Sequence, residues 1–176
     1  YENIYVIDST SVAMGSGILV ELALRLLDEG KSTKEAVQIL EEEKKKIVVV
    51  ALLDTLEYLK RGGRISKAVA FAGGVLKIKP VLSVTDGEIH LLGKARGSKM
   101  GNNLLVQEIN NVGGIDFGKP ILLGYSGISD ALLLKYIEDS RPIWNGRLEK
   151  IRYTTVGSVI GTHAGPGAVV VAFFKN

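Results

Sequence analysis

The chain has 176 residues, 46% of them hydrophobic, a formal net charge of +3 at pH 7 and no cysteine. That length holds one ordinary domain with its own core, or one domain and a small appendage. A mean hydropathy of +0.21 excludes disorder, the absent cysteines exclude disulfides and thiolate chemistry, and so mild a positive charge does not by itself point to nucleic acid, even with a pI near 9.0.

Ile4 to Ile7 reads as a short buried strand ending at the polar Asp8-Ser9-Thr10-Ser11. A chain that opens almost at once on a strand, with no initiator Met and no signal pattern, reads as the later part of a longer polypeptide. Gly15 and Gly17 precede an amphipathic helix from Ile18 to Leu27, where Ile18, Leu19, Leu22, Ala23, Leu26 and Leu27 fall at helical spacing and Gly30 is placed to cap the end. Ser32 and Glu35 form a capping-box pair for the next helix, whose core face is Ala36, Val37, Ile39 and Leu40. Glu41 to Lys46, three acids and then three bases, reads as a solvated helix end with its lysines suited to the helix dipole.

Ile47 to Leu53 is a β-branched run and predicts a buried strand. Asp54 and Glu57 repeat the capping-box spacing before a helix from Thr55 to Lys60, which Gly62-Gly63 closes. Ile65 to Leu76 reads as a helix of small residues, Ala68 to Gly74 among them. Val81 to Thr85 and Glu88 to Leu92, joined by Asp86-Gly87, carry a strong hairpin signal. A helix from Lys99 to Ile109, a loop from Asn110 to Gly118, a strand from Ile121 to Tyr125 and a helix from Ala131 to Ser140 follow. The spacing then predicts a strand from Arg147 to Tyr153, a Gly-rich turn from Gly161 to Gly167 and a last strand from Ala168 to Phe174. Helices alternate with strands, yet the hairpin forces an antiparallel pair. The fold class is therefore mixed α/β (α+β), with helices packed on a mixed sheet. No apolar run approaches the roughly 20 residues of a membrane span.

The chain carries no Walker loop, HExxH or GxSxG, and Gly15-x-Gly17 lacks the third glycine of a dinucleotide loop. Two histidines without nearby acids give no metal site, and His90, alternating with Ile89 and Leu91, reads as an edge or surface residue. His163 stands out. The turn expected around it gathers backbone N–H groups, Thr162 and an imidazole whose ordinary pKa of about 6.5 lets it donate to an anion. The same turn reads equally well as a structural lead into the last strand. Arg61 and Arg64, flanking Gly62-Gly63, have the form of a carboxylate or phosphate clamp, or simply of a cationic helix end. Gly93-Lys94-Ala95-Arg96-Gly97, with Lys99 nearby, is a basic patch leaving the hairpin.

Several segments, taken in order, resemble the DegV family over essentially the whole chain. They are Val6-Ile7-Asp8-Ser9 with Met14-Gly15-x-Gly17, the run from Leu53-Asp54-Thr55 through Lys60-Arg61-Gly62-Gly63-Arg64-Ile65-Ser66, Ile78 to Leu82, Gly93 to Arg96, and Ile160-Gly161-Thr162-His163-Ala164-Gly165-Pro166-Gly167-Ala168. The resemblance implies the C-terminal portion of the DegV-like fold. Residues 1–12 would be an end strand and connection from a missing N-terminal domain, and residues 13–176 the C-terminal domain. It implies a cytoplasmic, bacterial, monomeric protein that binds a long-chain fatty acid in a tunnel between the two domains. That protein presents the acyl carboxylate to a fatty acid kinase, which makes acyl phosphate for phospholipid synthesis. On this reading the chain is not an enzyme and takes no cofactor, the fatty acid being its ligand. The resemblance maps ligand binding to Thr162, His163 and Gly165, and contacts with phosphate or kinase to Arg61, Arg64, Lys94 and Arg96.

The family's N-terminal hydroxyl motifs, which hold the carboxylate, are absent from this sequence, so it carries part of a tunnel. Burying each methylene is worth about 0.8 kcal/mol; the acyl tail then supplies affinity and a polar mouth supplies orientation. The alternative is an enzyme or phosphotransfer protein, with His163 as base or phosphoryl acceptor and the arginines as an anion clamp. The lack of a nucleotide loop, metal cluster or paired acids argues against it. Nucleic-acid binding would need clustered bases interleaved with aromatics, and this sequence spreads its bases.

Overall fold

The computed structural model describes residues 3–65 and 78–176. Helices α1 (Met14–Asp28) and α2 (Thr33–Glu43) lead into strand β1 (Ile47–Leu52) and the short helix α3 (Glu57–Arg61). The hairpin β2 (Ile78–Thr85) and β3 (Glu88–Arg96) precedes α4 (Ser98–Asn111). Then come β4 (Leu122–Tyr125), α5 (Ala131–Asp139), β5 (Arg152–Thr155), α6 (Ser158–Ala164) and β6 (Val169–Phe174). The strands form one sheet in the order β3-β2-β1-β6-β4-β5. All neighbours are antiparallel except β4 and β5, which are parallel, so the fold is the mixed α/β class that the sequence predicts.

β1 and β6 are apolar throughout because they lie at the centre, with helices on both faces. In β6, Val169, Val171 and Phe173 pack towards α4 and α5 against Leu105, Ile109, Leu133, Tyr136 and Trp144. The alternate residues Val170, Ala172 and Phe174 pack towards α1 and α2 against Met14, Ile18, Leu22 and Leu40. The hairpin forms as predicted: Asp86 and Gly87 have φ of 52° and 76°, the two left-handed residues of a tight turn that matches strand twist. Gly87 N donates to Thr10 O at 3.2 Å, tying this turn to the segment before α1. Gly30 ends α1 as expected, with Gly30 N on Leu27 O at 2.9 Å and Lys31 N on Leu26 O at 3.0 Å. The charge run resolves into Glu41–Lys44, Glu42–Lys45 and Glu43–Lys46 pairs at 2.7, 2.8 and 2.9 Å.

The structure corrects several expectations. Ile4 to Ile7 forms no strand: Ile4 is 67% exposed and Val6 92%, and no sheet edge satisfies their backbone. α1 starts at Met14, so Gly15 and Gly17 lie in its first turn. Asp54 does not cap α3. Leu56 is the N-cap, and Asp54 ion-pairs with Lys79 across the chain. Residues 148–150 form a 3-10 turn and the strand starts at Arg152. The expected Gly-rich turn is helical as far as Ala164, so only residues 165–167 turn. The helix expected from Ile65 to Leu76 lies, from Ser66 on, outside the described residues. Among the described residues no helix is long and apolar enough to cross a membrane.

Candidate functional site

Among the described residues, the sheet face that carries α1 is left open beside it. Strand pairing of Val49 with Val84, and of Ala51 with both Leu82 and Val170, sets these side chains on one face. Together with Ile89 and Leu53 they floor a cavity of about 290 Å³. One end is bounded by Ser11 to Ala13 and Gly87, the other by Leu59, Arg64, Val159, Ile160, His163 and Ala164. Arg64 and His163 are the only titratable side chains in this lining among the described residues.

His163 occupies the last turn of α6, which ends on Gly165 at φ 73°. Its Nδ1 is buried, has no hydrogen-bond partner among the described residues, and lies against Gly62. Arg64 follows α3, where Gly63 N donates to Lys60 O at 3.1 Å and Arg64 N to Leu59 O at 2.9 Å. Its Nη1 donates to Gly62 O at 2.9 Å, and no carboxylate pairs with it among the described residues. Gly62 therefore touches both groups and brings them to one end of the cavity.

The other candidate residues lie elsewhere. Thr162 is exposed and its hydroxyl donates to Ser158 O at 2.8 Å within its own helix. Gly165 is buried, and its carbonyl accepts from the Ser126 hydroxyl. Arg61 pairs with Glu57 along α3 and, unlike Arg64, does not line the cavity. Lys94 and Arg96 are exposed on edge strand β3, opposite Pro80 and Ile78, and do not line the cavity. His90 is exposed on the same strand, as its alternation predicts. Among the described residues no group of His, Asp or Glu could hold a metal.

Sequence reasoning passed over Ser126 and Tyr58. Ser126 fastens the turn behind His163, its Oγ accepting from Ala168 N at 2.9 Å, and Tyr58 packs on Gly165. Their partners lie across the fold, so no local pattern marks them.

A mixed six-stranded sheet with an apolar cavity on one face, closed at one end by a histidine and an arginine, defines an α/β protein able to enclose a nonpolar molecule with an anionic end. Residues 1–176 match the family described as "Uncharacterised protein, DegV family", and the chain belongs to that family. A DegV domain-containing protein of Caldanaerobacter subterraneus is 35% identical over 172 residues, 97% of this chain and 60% of the relative. The structure of a DegV family protein from Thermus thermophilus, described for its fatty acid binding, matches with a TM-score of 0.79 at 30% identity over 97% of this chain and 60% of that one. The Streptococcus pneumoniae Fatty Acid Kinase (Fak) B3 protein, loaded with linoleic acid, matches with a TM-score of 0.82 at 25% identity over 98% of this chain and 60% of that one. The chain thus spans about three fifths of the length of these relatives.

Proposed function

We propose that this chain supplies one wall of a fatty-acid site and the groups that meet the acyl carboxylate. The observation that carries this reading is the apolar cavity whose two titratable lining residues, His163 and Arg64, share Gly62 at one end. A cavity of about 290 Å³ is at the small end of ligand pockets and holds part of a long chain. The remaining two fifths of the relatives' length would enclose the rest, with residues 13–176 acting as the C-terminal domain. Each buried methylene contributes about 0.8 kcal/mol, so the tail binds while His163 and Arg64 orient the head. Thr162 and Gly165 then serve by holding the helix end that presents His163. Arg61, Lys94 and Arg96 lie outside the cavity and suit contacts with phosphate or with an acidic kinase surface. The product of that kinase is acyl phosphate, made in the bacterial cytoplasm, with this monomeric protein as carrier and not as enzyme. Among the described residues, no carboxylate stands behind Nδ1 of His163, which a general base or phosphoryl acceptor would use.

The test uses the full-length protein. Denaturing extraction and mass spectrometry should find about one long-chain fatty acid per molecule. Arg64→Ala should weaken its binding about tenfold or more, as loss of a hydrogen bond to a charged group implies. Arg96→Ala should keep the lipid but slow acyl-phosphate formation by the kinase. A protein that carries no acyl chain, and whose Tm does not rise with added fatty acid, refutes the reading.

A further inference from the structure

Helix α3, which Arg64 follows, and helix α6, which carries His163, meet through two glycines. Gly62 ends α3 with its Cα against the imidazole: a Cβ there would come within 2.7 Å of His163 Cε1 and closer still to Nδ1. Gly165 ends α6 with its Cα against the ring of Tyr58: a Cβ there would come within 2.7 Å of Cε2 and closer still to Cδ2. Each helix therefore closes on a glycine that receives a ring from the other. Real Cβ atoms do not approach other atoms to under 3.0 Å, so neither site has room for a methyl group unless a ring moves.

The two glycines answer different needs. Gly165, at φ 73°, has a backbone that favours glycine in any case. Gly62 has φ −78° and ψ 0°, which other residues adopt freely. Its backbone does not require glycine; the ring of His163 does.

We propose that Gly62 is a positioning residue for His163: its bare Cα seats the Nδ1 edge of the imidazole, so that Nε2 faces the cavity and carries the proton. The buried Nδ1 has no partner among the described residues. A buried acceptor is left unpaired more readily than a buried N–H, so the seat selects the tautomer with its hydrogen on Nε2. The ring then presents a fixed donor beside Arg64, which is itself anchored to the Gly62 carbonyl at 2.9 Å. The inference rests on the reading that the cavity takes an acyl carboxylate, but the tautomer can be read without any ligand.

The experiment compares full-length wild type, Gly62→Ala, His163→Ala and the double variant. Nitrogen NMR of labelled histidine, at a pH where the ring is neutral, should show wild-type His163 protonated at Nε2 and Gly62→Ala displaced from that state. Gly62→Ala should bind fatty acid about tenfold more weakly, as expected for a lost carboxylate hydrogen bond. The double variant should bind no worse than His163→Ala alone and should recover any Tm that Gly62→Ala loses, because the clashing ring is gone. An unchanged tautomer in Gly62→Ala, or losses that simply add in the double variant, overturns the proposal. If instead the tautomer shifts while His163→Ala binds fatty acid normally, the seat stands and the carboxylate reading falls.

Discussion

Ser126 lies one residue beyond β4, buried, and joins two distant pieces of chain. Its hydroxyl donates to the Gly165 carbonyl and accepts from Ala168 N at 2.9 Å. Its backbone repeats the link, with Ser126 N on Ala168 O at 3.2 Å and Gly167 N on Ser126 O at 2.9 Å. The turn that follows His163 is thus held on both sides. Ser126→Ala keeps the backbone pair but strands a buried carbonyl and a buried N–H. An orphaned buried group costs about 1–3 kcal/mol, so urea denaturation should show a lower midpoint with an unchanged m-value. A variant as stable as wild type would mean that water takes over both bonds. In sequence, Tyr125-Ser126-Gly127 after a strand reads as an ordinary turn, because both partners of the hydroxyl lie far along the chain. His163 is marked in the sequence by its residue type and its glycine-rich neighbours. Its seat on Gly62 is not, since that contact exists only once α3 and α6 have packed.

At the scale of elements, the local signals succeeded where their partners were local too. Ser32 Oγ accepts from Glu35 N at 3.3 Å and the Glu35 carboxylate accepts from Ser32 N at 2.8 Å, the reciprocal box that the sequence predicts. Ser32→Ala should cost about 1 kcal/mol, the usual loss for such a cap, and lower Tm without affecting fatty acid binding; no change in Tm would show that α2 is held by its packing alone. Asp54 and Glu57 have the same spacing but no cap forms, because Lys79 takes the Asp54 carboxylate. α6 was missed for a different reason. Seven residues that include a glycine, a threonine and two β-branched aliphatics make a poor isolated helix, and only contact with α3 and the sheet holds it. Ile4 to Ile7 erred in the opposite sense: its residues suit a strand, but a strand needs an edge to pair with.

Across the whole molecule, the end of α2 is tied by Glu43, Asp116 and Lys119 to the loop before β4, beside the end of the central strand β6. Lys119 bonds both carboxylates, the Asp116 contact being 3.2 Å, and Lys46 adds a bond to Glu43 at 2.9 Å. Burial alone would raise the Glu43 pKa, but hydrogen bonds from Lys119 and Lys46 outweigh it and hold the carboxyl below its ordinary value. Burial likewise opposes the bonds from Gly118 N and Lys119 at Asp116, and its pKa also ends lowered. Burial would lower Lys119, yet its two carboxylate partners raise it. For the two acids, the unfolded chain binds protons at higher pH than the folded one. Their stabilisation is therefore complete above the ordinary carboxylate range and is lost as pH falls through the depressed folded values. For Lys119 the stabilisation is complete below its ordinary pKa and is lost as pH rises through the raised one. Lys119→Met removes the shared cation. It should cost about 1 kcal/mol at neutral pH, the upper end for a partly exposed pair, with the gap closing as pH falls through the depressed folded values of the two carboxyls. Urea titrations across that range measure this directly. Two stability curves that stay parallel down to acid pH would show that Lys119 acts through the packing of its methylenes over Phe174, whose ring centroid is 5.7 Å from Nζ, and not through charge.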